Sequence, residues 1–301
     1  MKTLKPTISV GIAAYNEENN IQNILRDVLK QKQTDWKLSE VIVYCDGCTD
    51  KTVDEIKQLR SPKIRTLGES QRRGKSFGLN QICKTFVSDT IVLFDADIRL
   101  GNNNVISNLV RELYKSDMIQ VAGGNSIPFK PKNFVENAVY STFEVFYASR
   151  KTIKGGHNIF GCTGACIAMK NIFAKNLHIP NVINDDDFIY FSCIKKGYIF
   201  RHVSNAKVYY RLPKTVQDYV RQNIRSNPNA VDVSLFPYFG TLVQNEYYRP
   251  IGFYLKEIFK VFINNPGGVF FIIGVNLIFK PLYGILTRNY HLGWYTAKTT
   301  K

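Results

Sequence analysis

The sequence predicts an α/β protein whose core is a mostly parallel sheet with flanking helices. Short apolar runs such as 8–13 and 91–94 have the unbroken hydrophobicity of strands that are buried on both faces. Segments with apolar residues at helical spacing lie between these runs, the first of them at 21–29. Because strands that alternate with helices connect through right-handed crossovers, this order favours parallel pairing of the strands.

Residues 1–122 carry most of the predicted sheet. Strands are predicted at 8–13, 41–44, 64–67, 91–94 and 119–122, with helices at 21–29, 74–86 and 105–114. A further helix follows Asp50, and either Thr49 or Asp50 can cap it because their side-chain oxygens accept hydrogen bonds from free N–H groups. The second half is less regular, with helices predicted at 134–150, 185–193 and 215–224, a strand at 208–210 and a glycine-rich segment at 155–164.

The 301 residues carry a formal net charge of +16, and 45% of them are hydrophobic, as in a globular chain. The basic balance predicts an anionic partner, which could be nucleic acid, a phosphorylated ligand or a membrane surface. Lysine and arginine are spread along the chain, and no nucleic-acid-binding signature accompanies them. A membrane surface together with a diphosphate ligand therefore explains the charge more economically than nucleic acid.

Polar motifs follow three of the predicted strands at their carboxyl ends. Tyr15 and Glu17 follow the first strand, Asp46 follows the second, and Asp95 and Asp97 follow the fourth. Ligands bind outside the carboxyl ends of the strands in open sheets of this kind, so these three segments should converge on one edge. Two carboxylates at this spacing can hold Mg²⁺ or Mn²⁺, which would neutralise charge on a leaving diphosphate; the alternative is a solvated turn.

Several of these side chains have two interpretations. Tyr15 could stack on a nucleobase and Asp46 could accept a hydrogen bond from a base or ribose, or the two could serve packing and a turn. Lys75, beside Gly74 at a helix start, suits a phosphate group, with a solvated basic turn as the alternative. Glu69 stands where a P-loop requires glycine, which argues against an ATPase.

Three adjacent carboxylates, Asp185, Asp186 and Asp187, precede a predicted helix. Crowding of like charges raises at least one carboxyl pKa, which favours a general base near neutral pH. Such a base would accept the proton that an attacking hydroxyl loses. The alternative is that these residues cap the helix, since aspartate is common at helix N-termini.

Taken together, these motifs resemble family 2 glycosyltransferases with the GT-A fold. The resemblance covers roughly residues 7–226 and is carried by the segments 8–21, 46–50, 74–80, 95–97, 161–166 and 185–198. It implies a Rossmann-like sheet and a single inverting displacement. In that reaction a sugar moves from a nucleotide-diphosphate donor, often a UDP-sugar, to a hydroxyl group.

The resemblance also implies roles for particular residues. Asp97 would ligate the metal, and Asp95 would touch the metal or the ribose. Asp186 would be the base, with Asp185 standing where the family more often has glutamate and Asp187 as a rival base. The donor-binding set would be Tyr15, Glu17, Asp46, Lys75 and Asp95.

Gln222 and Arg225 resemble part of the Gln-x-x-Arg-Trp motif of processive polysaccharide synthases. Ser226 replaces the tryptophan, which argues against processive synthesis. The two side chains could contact the diphosphate or the acceptor. The alternative is that they lie on the solvated face of an amphipathic helix.

The C-terminal part changes in character after Pro250. The segment 251–262 has the pattern of an amphipathic helix, and 269–279 is almost wholly apolar but too short to span a membrane. We expect interfacial or re-entrant helices, with a buried pair or an oligomer contact as the alternative. Flanking cations would favour anionic lipid, namely Arg249, Lys256, Lys260, Lys280 and Arg288.

The sequence therefore predicts a catalytic domain at 1–230 and a membrane-associating helical region at 231–301. No signal peptide is expected, so the protein would act at the cytoplasmic face of the membrane, as a peripheral or monotopic enzyme of cell-envelope polysaccharide synthesis. Its partners would be a nucleotide-sugar donor and a lipid-linked or glycan acceptor. The alternatives are a nucleotidyltransferase on a similar sheet and a non-catalytic membrane scaffold.

Overall fold

The computed structural model describes residues 5–225 and 228–288. Its strands are β1 (Thr7–Ala14), β2 (Lys37–Asp46), β3 (Ile64–Glu69), β4 (Thr90–Asp95), β5 (Arg99–Leu100), β6 (Ile119–Pro128), β7 (Cys166–Lys170) and β8 (Ile199–Tyr210). Its α-helices are α1 (Ile21–Leu29), α2 (Thr52–Gln58), α3 (Lys75–Thr85), α4 (Val105–Leu113), α5 (Phe134–Thr152), α6 (Asn171–Lys175), α7 (Asp185–Lys195), α8 (Val216–Arg225), α9 (Pro228–Phe239), α10 (Thr241–Tyr247), α11 (Ile251–Asn264) and α12 (Pro266–Arg288).

The eight strands form one mixed sheet in the order β3-β2-β1-β4-β7-β6-β8-β5. The half predicted from the alternating pattern, β3-β2-β1-β4, is parallel throughout. Beyond β4 the pairing changes, because β7 runs antiparallel to β4 and to β6, and β5 runs antiparallel to β8. The α/β class is confirmed, whereas the expectation of mostly parallel pairing holds only for the first half.

Two strands differ from the sequence-based expectation. Strand β7 follows the glycine-rich segment at 155–164, in a place where no strand was predicted, because its five residues are too few to show a period. Strand β8 spans twelve residues, whereas only 208–210 was predicted. Polar residues such as Arg201, Ser204 and Asn205 interrupt its apolar pattern, and this half-exposed strand therefore lacks the continuous hydrophobicity of β1.

The core forms because the central strands are apolar on both faces. Every residue of β1 after Thr7 is buried, and the apolar stripe of α1 packs into the same cluster. Trp36 closes this cluster near the start of β2, and its indole N–H donates to Ser107 Oγ at 2.9 Å. A rigid central sheet of this kind holds the loops at its carboxyl edge in place.

The chain divides into two compact units, one with residues 1–127 and 161–210 and the other with residues 128–160 and 211–301. The first unit contains nearly all of the sheet. In the second unit α5 packs against α11 and α12, and Asn265 Nδ2 donates to Ser141 Oγ at 3.0 Å. This division groups α5 and α8 with the C-terminal helices, although both precede residue 230. The domain boundary expected at residue 230 stays a prediction.

The helices of the second unit include the predicted amphipathic segment, which forms α11, and α12, which continues past Pro281. Across residues 5–225 and 228–288, none of the helices combines the length and the hydrophobicity that crossing a membrane requires.

The close packing of α3 on β1 predicts that Gly11 tolerates no side chain. A methyl group there would lie 2.5 Å from Ile82 Cγ2 and 2.8 Å from Leu93 Cδ2. We expect Gly11→Ala to lower the free energy of unfolding by about 1–3 kcal/mol in urea denaturation, because overpacking strains the core. Gly274→Ala is the control, since nothing lies within 4 Å of a methyl group at that position. Equal stability of the two variants would contradict this account.

Candidate active site

The carboxyl ends of β1, β2 and β4 lie side by side because these strands are parallel neighbours. Asp46 ends β2 and Asp95 ends β4, while Tyr15 and Glu17 lie in the loop after β1. Helix α7 begins at Asp185 and brings a second group of carboxylates to Lys75 at the start of α3. All these residues belong to the first compact unit.

The loops after β1 and β2 are tied to one another by hydrogen bonds. Asn16 Oδ1 accepts the backbone N–H of Thr49 at 2.8 Å, and Asp50 Oδ2 accepts that of Glu18 at 3.1 Å. Glu17 is buried, and its carboxylate accepts from Asn20 Nδ2 at 2.9 Å, directly before α1. Glu17 therefore helps to shape the loop, and its predicted contact with the donor stays a prediction.

Asp46 is fully buried and binds the backbone of a distant loop. Oδ1 accepts the N–H of Arg73 at 2.6 Å, and Oδ2 accepts the N–H of Gly74 at 2.9 Å. These two bonds fix the loop that leads into α3 and thereby set the position of Lys75. Asp46 therefore bonds the backbone of another loop and not that of its own turn, and its predicted contact with the nucleotide stays a prediction.

Tyr15 presents its ring to the same loop. The guanidinium carbon of Arg72 lies 3.8 Å from the ring centroid, within the range of a cation–π contact. A cationic group therefore already lies against this partly buried ring. The predicted stacking of a nucleobase on Tyr15 would use the same kind of surface.

Lys75 is the centre of the carboxylate cluster. Its Nζ lies 2.7 Å from Asp95 Oδ1 and 3.3 Å from Asp185 Oδ2, and the three side chains are 15%, 27% and 12% exposed. Burial by itself would lower the pKa of the Lys75 amine, but the carboxylates of Asp185, Asp95 and Asp186 raise it above its ordinary value. The lysine is therefore charged and links the end of β4 to the start of α7.

Asp97 lies where an ionised carboxylate is unfavourable. Burial, followed by the neighbouring charges of Asp95 and Glu17, raises the pKa of the Asp97 carboxyl to about 7. Within the described residues, no three His, Cys, Asp or Glu side chains approach closely enough to form a complete metal cage. Asp95 and Asp97 nevertheless fit Mg²⁺ or Mn²⁺, which often use one or two carboxylates together with substrate phosphates.

Asp186 and Asp187 have different surroundings. Asp186 Oδ2 accepts the N–H of Gly164 at 2.8 Å, and burial together with Asp185 raises the pKa of its carboxyl to about 6. Asp187 is buried and its Oδ2 accepts from Asn184 Nδ2 at 2.6 Å, at the start of α7. This bond joins two side chains and caps no backbone N–H group, so the choice between Asp186 and Asp187 as the base stays a prediction.

Sequence reasoning missed Gly164 as a residue of the site. A methyl group at this position would lie 2.8 Å from Lys75 Nζ and 3.7 Å from Asp186 Oδ2, so a side chain there would require the lysine amine to shift. The signal was present in the glycine-rich segment, but its spacing does not reveal which glycine approaches a charged group. The close approach depends on β7 pairing antiparallel to β4.

The predicted pair on α8 lies in the second compact unit. Gln222 is partly buried, whereas the side chain of Arg225 and the whole of Ser226 lie outside the described residues. Their roles toward a diphosphate or an acceptor stay predictions.

The sheet and the carboxylates at its edge define a GT-A-type glycosyltransferase. Residues 9–177, more than half of the chain, match the family described as Glycosyl transferase family 2, and the protein belongs to that family. This membership confirms the resemblance seen in the motifs. It argues against both a nucleotidyltransferase and a non-catalytic scaffold.

Known proteins with related sequences or folds agree with this membership. The chain is 24% identical over 207 residues to the Escherichia coli enzyme UDP-Glc:alpha-D-GlcNAc-diphosphoundecaprenol beta-1,3-glucosyltransferase WfaP, covering 68% of this chain and 77% of that enzyme. The solved mannosyltransferase PcManGT from Pyrobaculum calidifontis, in complex with GDP-Man and Mn²⁺, has a similar fold. The TM-score is 0.59 at 19% identity over 97% of this chain and 82% of that one.

A second solved structure is glucosyl-3-phosphoglycerate synthase from Mycobacterium tuberculosis, in complex with Mn²⁺, UDP and phosphoglyceric acid. It is 16% identical with a TM-score of 0.53, and the match covers 78% of this chain and 79% of that one. At these identities the two structures show that the fold is shared.

The raised carboxyl pKa values predict how stability depends on pH in the metal-free protein. The pKa of Asp97 is about 7, against an ordinary value of 3.8, so the folded state binds more protons than the unfolded state between these values. The free energy of unfolding must then fall as the pH rises through this window. We expect the Tm in EDTA to fall between about pH 5 and pH 8. Asp97→Asn should make the Tm less dependent on pH, whereas the control Asp117→Asn, at an exposed position, should not. If the pH dependence of the Tm is unchanged in Asp97→Asn, the raised pKa does not belong to Asp97.

Proposed function

We propose that the protein is an inverting, metal-dependent glycosyltransferase that moves a sugar from a UDP-sugar to a hydroxyl group of a lipid-linked or glycan acceptor. The observation that carries this proposal is the convergence of carboxylates from β4 and α7 around Lys75. WfaP, whose name includes a UDP-sugar donor and a diphosphoundecaprenol-linked acceptor, supports the choice of donor and acceptor.

The donor would bind along the edge formed by the loops after β1 and β2. Tyr15 would stack on the base, while Asp46 and Glu17 shape the pocket through the bonds described above. Lys75 carries a positive charge at the end of this edge, where its amine can attract the diphosphate. The cationic loop Arg72–Lys75 thus suits a ligand with two phosphate groups.

Asp97 and Asp95 would hold the divalent cation, Mg²⁺ or Mn²⁺. When bound, this cation would neutralise the negative charge that develops on the departing nucleoside diphosphate. Burial and the charges of Asp95 and Glu17 raise the pKa of Asp97, so the ionised carboxylate is disfavoured there, and a bound cation would relieve that cost. Both solved relatives described above are complexes with Mn²⁺.

Asp186 would act as the general base. The acceptor hydroxyl oxygen attacks the anomeric carbon while the bond between that carbon and the phosphate oxygen breaks, and the hydroxyl proton passes to the Asp186 carboxylate. One displacement of this kind inverts the anomeric configuration. A carboxyl pKa of about 6 leaves Asp186 mostly ionised at neutral pH yet more basic than an ordinary aspartate.

The acceptor end of the reaction is proposed to lie near a membrane. Ile251, Leu255 and Phe259 recur on one side of α11 and are 77%, 62% and 64% exposed. Lys256 and Lys260 lie on the same helix and are exposed, as suits contact with anionic lipid. We propose that the protein acts at the cytoplasmic face of the membrane. Residues 1–230 would form the catalytic domain and residues 231–301 the membrane-associating region. Gln222 and Arg225 would bind the diphosphate or the acceptor.

The assignment of the base predicts different effects for two neighbouring aspartates. Asp186→Asn should lower the rate of transfer by about 100- to 10,000-fold, because the proton acceptor is lost, and should leave donor binding nearly unchanged. Asp187→Asn is the matched control and should keep most of the activity. The assay measures UDP release from a panel of UDP-sugars with an added lipid-linked acceptor, in Mn²⁺ and in EDTA. If Asp187→Asn is the inactive variant, the base is misassigned; full activity in EDTA would refute the metal dependence.

The exposed stripe of α11 predicts binding to anionic membranes. The double variant Leu255→Glu and Phe259→Glu should lose binding to phosphatidylglycerol vesicles in a co-sedimentation assay, because it replaces apolar contacts with charges of the same sign as the lipid. Val87→Glu is the control, because Val87 is 82% exposed but lies in the other compact unit. Vesicle binding that is absent in the wild type, or unchanged in the double variant, would contradict the membrane role.

A further inference from the structure

The Lys75 amine is paired with two carboxylates, a feature that a role in binding phosphate does not by itself explain. The amine contacts Asp95, which ends a strand, and Asp185, which begins a helix much later in the chain. Asp186 contributes a third negative charge to its surroundings. The ammonium group therefore sits among the carboxylates that are proposed to bind the metal and to act as the base.

The neighbouring backbone keeps this position open for the amine. A methyl group at Gly164 would lie 2.8 Å from Lys75 Nζ and 3.6 Å from Asp95 Oδ2. The backbone N–H of the same glycine donates to Asp186 Oδ2 at 2.8 Å. The backbone of Gly164 thus lies directly beside the Lys75 amine, and a side chain at this position would require the amine to shift.

Electrostatics require a positive charge at the position of the Lys75 amine. Carboxylates brought together away from water repel one another, and breaking a buried ion pair leaves a charge without compensation. Lys75 supplies the only positive charge that is paired to Asp95 or Asp185 by a salt bridge within the described residues. A divalent cation that ligates Asp95 would meet the ammonium group at a short distance and would be repelled by it.

We propose that Lys75 is the internal counter-ion of the active site: it holds Asp95 and Asp185 together in the metal-free protein and competes with the divalent cation for Asp95. When the cation binds, the lysine releases Asp95 and keeps its pairing with Asp185, or turns toward the donor diphosphate. Lys75 is a positioning residue in this role. The inference rests on the proposed metal-dependent transfer. It identifies the Lys75 amine as the group that the metal must displace from Asp95.

The experiment compares Mn²⁺ binding and thermal unfolding of the wild type, Lys75→Met and Lys75→Arg without nucleotide. In EDTA, Lys75→Met should melt lower by on the order of 5 °C, because the carboxylates lose their counter-ion. In a MnCl₂ titration the same variant should bind Mn²⁺ about tenfold more tightly than the wild type, because the competing charge is gone. The gain in Tm on adding Mn²⁺ should accordingly be larger in Lys75→Met. Lys75→Arg keeps the charge and should resemble the wild type.

Lys84→Met is the matched control, because it removes the same charge from the exposed end of the same helix. A lysine with only a packing role would lower the Tm of Lys75→Met equally with and without Mn²⁺ and leave the Mn²⁺ affinity unchanged. That result, or weaker Mn²⁺ binding, would overturn the proposal. If Lys75→Met folds only when Mn²⁺ is present, the proposal is supported. In that case the Mn²⁺ affinity is compared again with Lys75→Gln, which keeps an N–H donor but has no charge.

A separate arm distinguishes this inference from the function on which it rests. Wild-type protein is titrated with UDP in Mn²⁺ and in EDTA. Equal UDP affinity and equal transfer in both conditions would refute the metal-dependent function. Metal-dependent behaviour of the wild type, combined with unchanged Mn²⁺ affinity in Lys75→Met, would overturn the counter-ion role alone.

Discussion

The whole site depends on how the chain compensates the negative charge that it gathers at one edge of the sheet. Asp95 and Asp185 come from elements far apart in sequence, and one ammonium group forms an ion pair with each of them. Burial and neighbouring carboxylates raise the pKa values of Asp97 and Asp186, which have no ion pair of their own among the described residues. Gathering these carboxylates lowers the stability of the protein by itself and favours the binding of a cation. A divalent cation would in turn neutralise the negative charge of a nucleotide diphosphate, so the two ligands can bind together.

Hydrogen bonds to backbone N–H groups keep the charged side chains in position although the carboxylates repel one another. Asp46 accepts two N–H groups from the loop before α3, and this contact sets where Lys75 leaves the backbone. Gly164 donates to Asp186 from the segment that precedes β7. Because both contacts use main-chain groups on the rigid sheet edge, the geometry of the charged side chains follows from the pairing of β1, β2, β4 and β7.

Three adjacent aspartates show how position divides one residue type into different tasks. Asp185 pairs with Lys75, and Asp187 accepts a hydrogen bond from Asn184 at the beginning of α7. Asp186 lies between them with the backbone of Gly164 as its partner, and it has the pKa that suits a base. Neighbours in the chain thus serve structure, charge compensation and proposed proton transfer, because successive side chains at a helix start point in different directions.

The sequence alone determined the fold class, the parallel half of the sheet and the set of residues at its carboxyl edge. These follow from local hydrophobic patterns and from the rule that parallel strands present their carboxyl ends together. Only the tertiary structure decided that β7 pairs antiparallel to β4, that Asp46 holds the loop before Lys75, and that Gly164 approaches the amine. Each of these features is a contact between segments distant along the chain, and the spacing of residues in sequence carries no information about which distant groups meet.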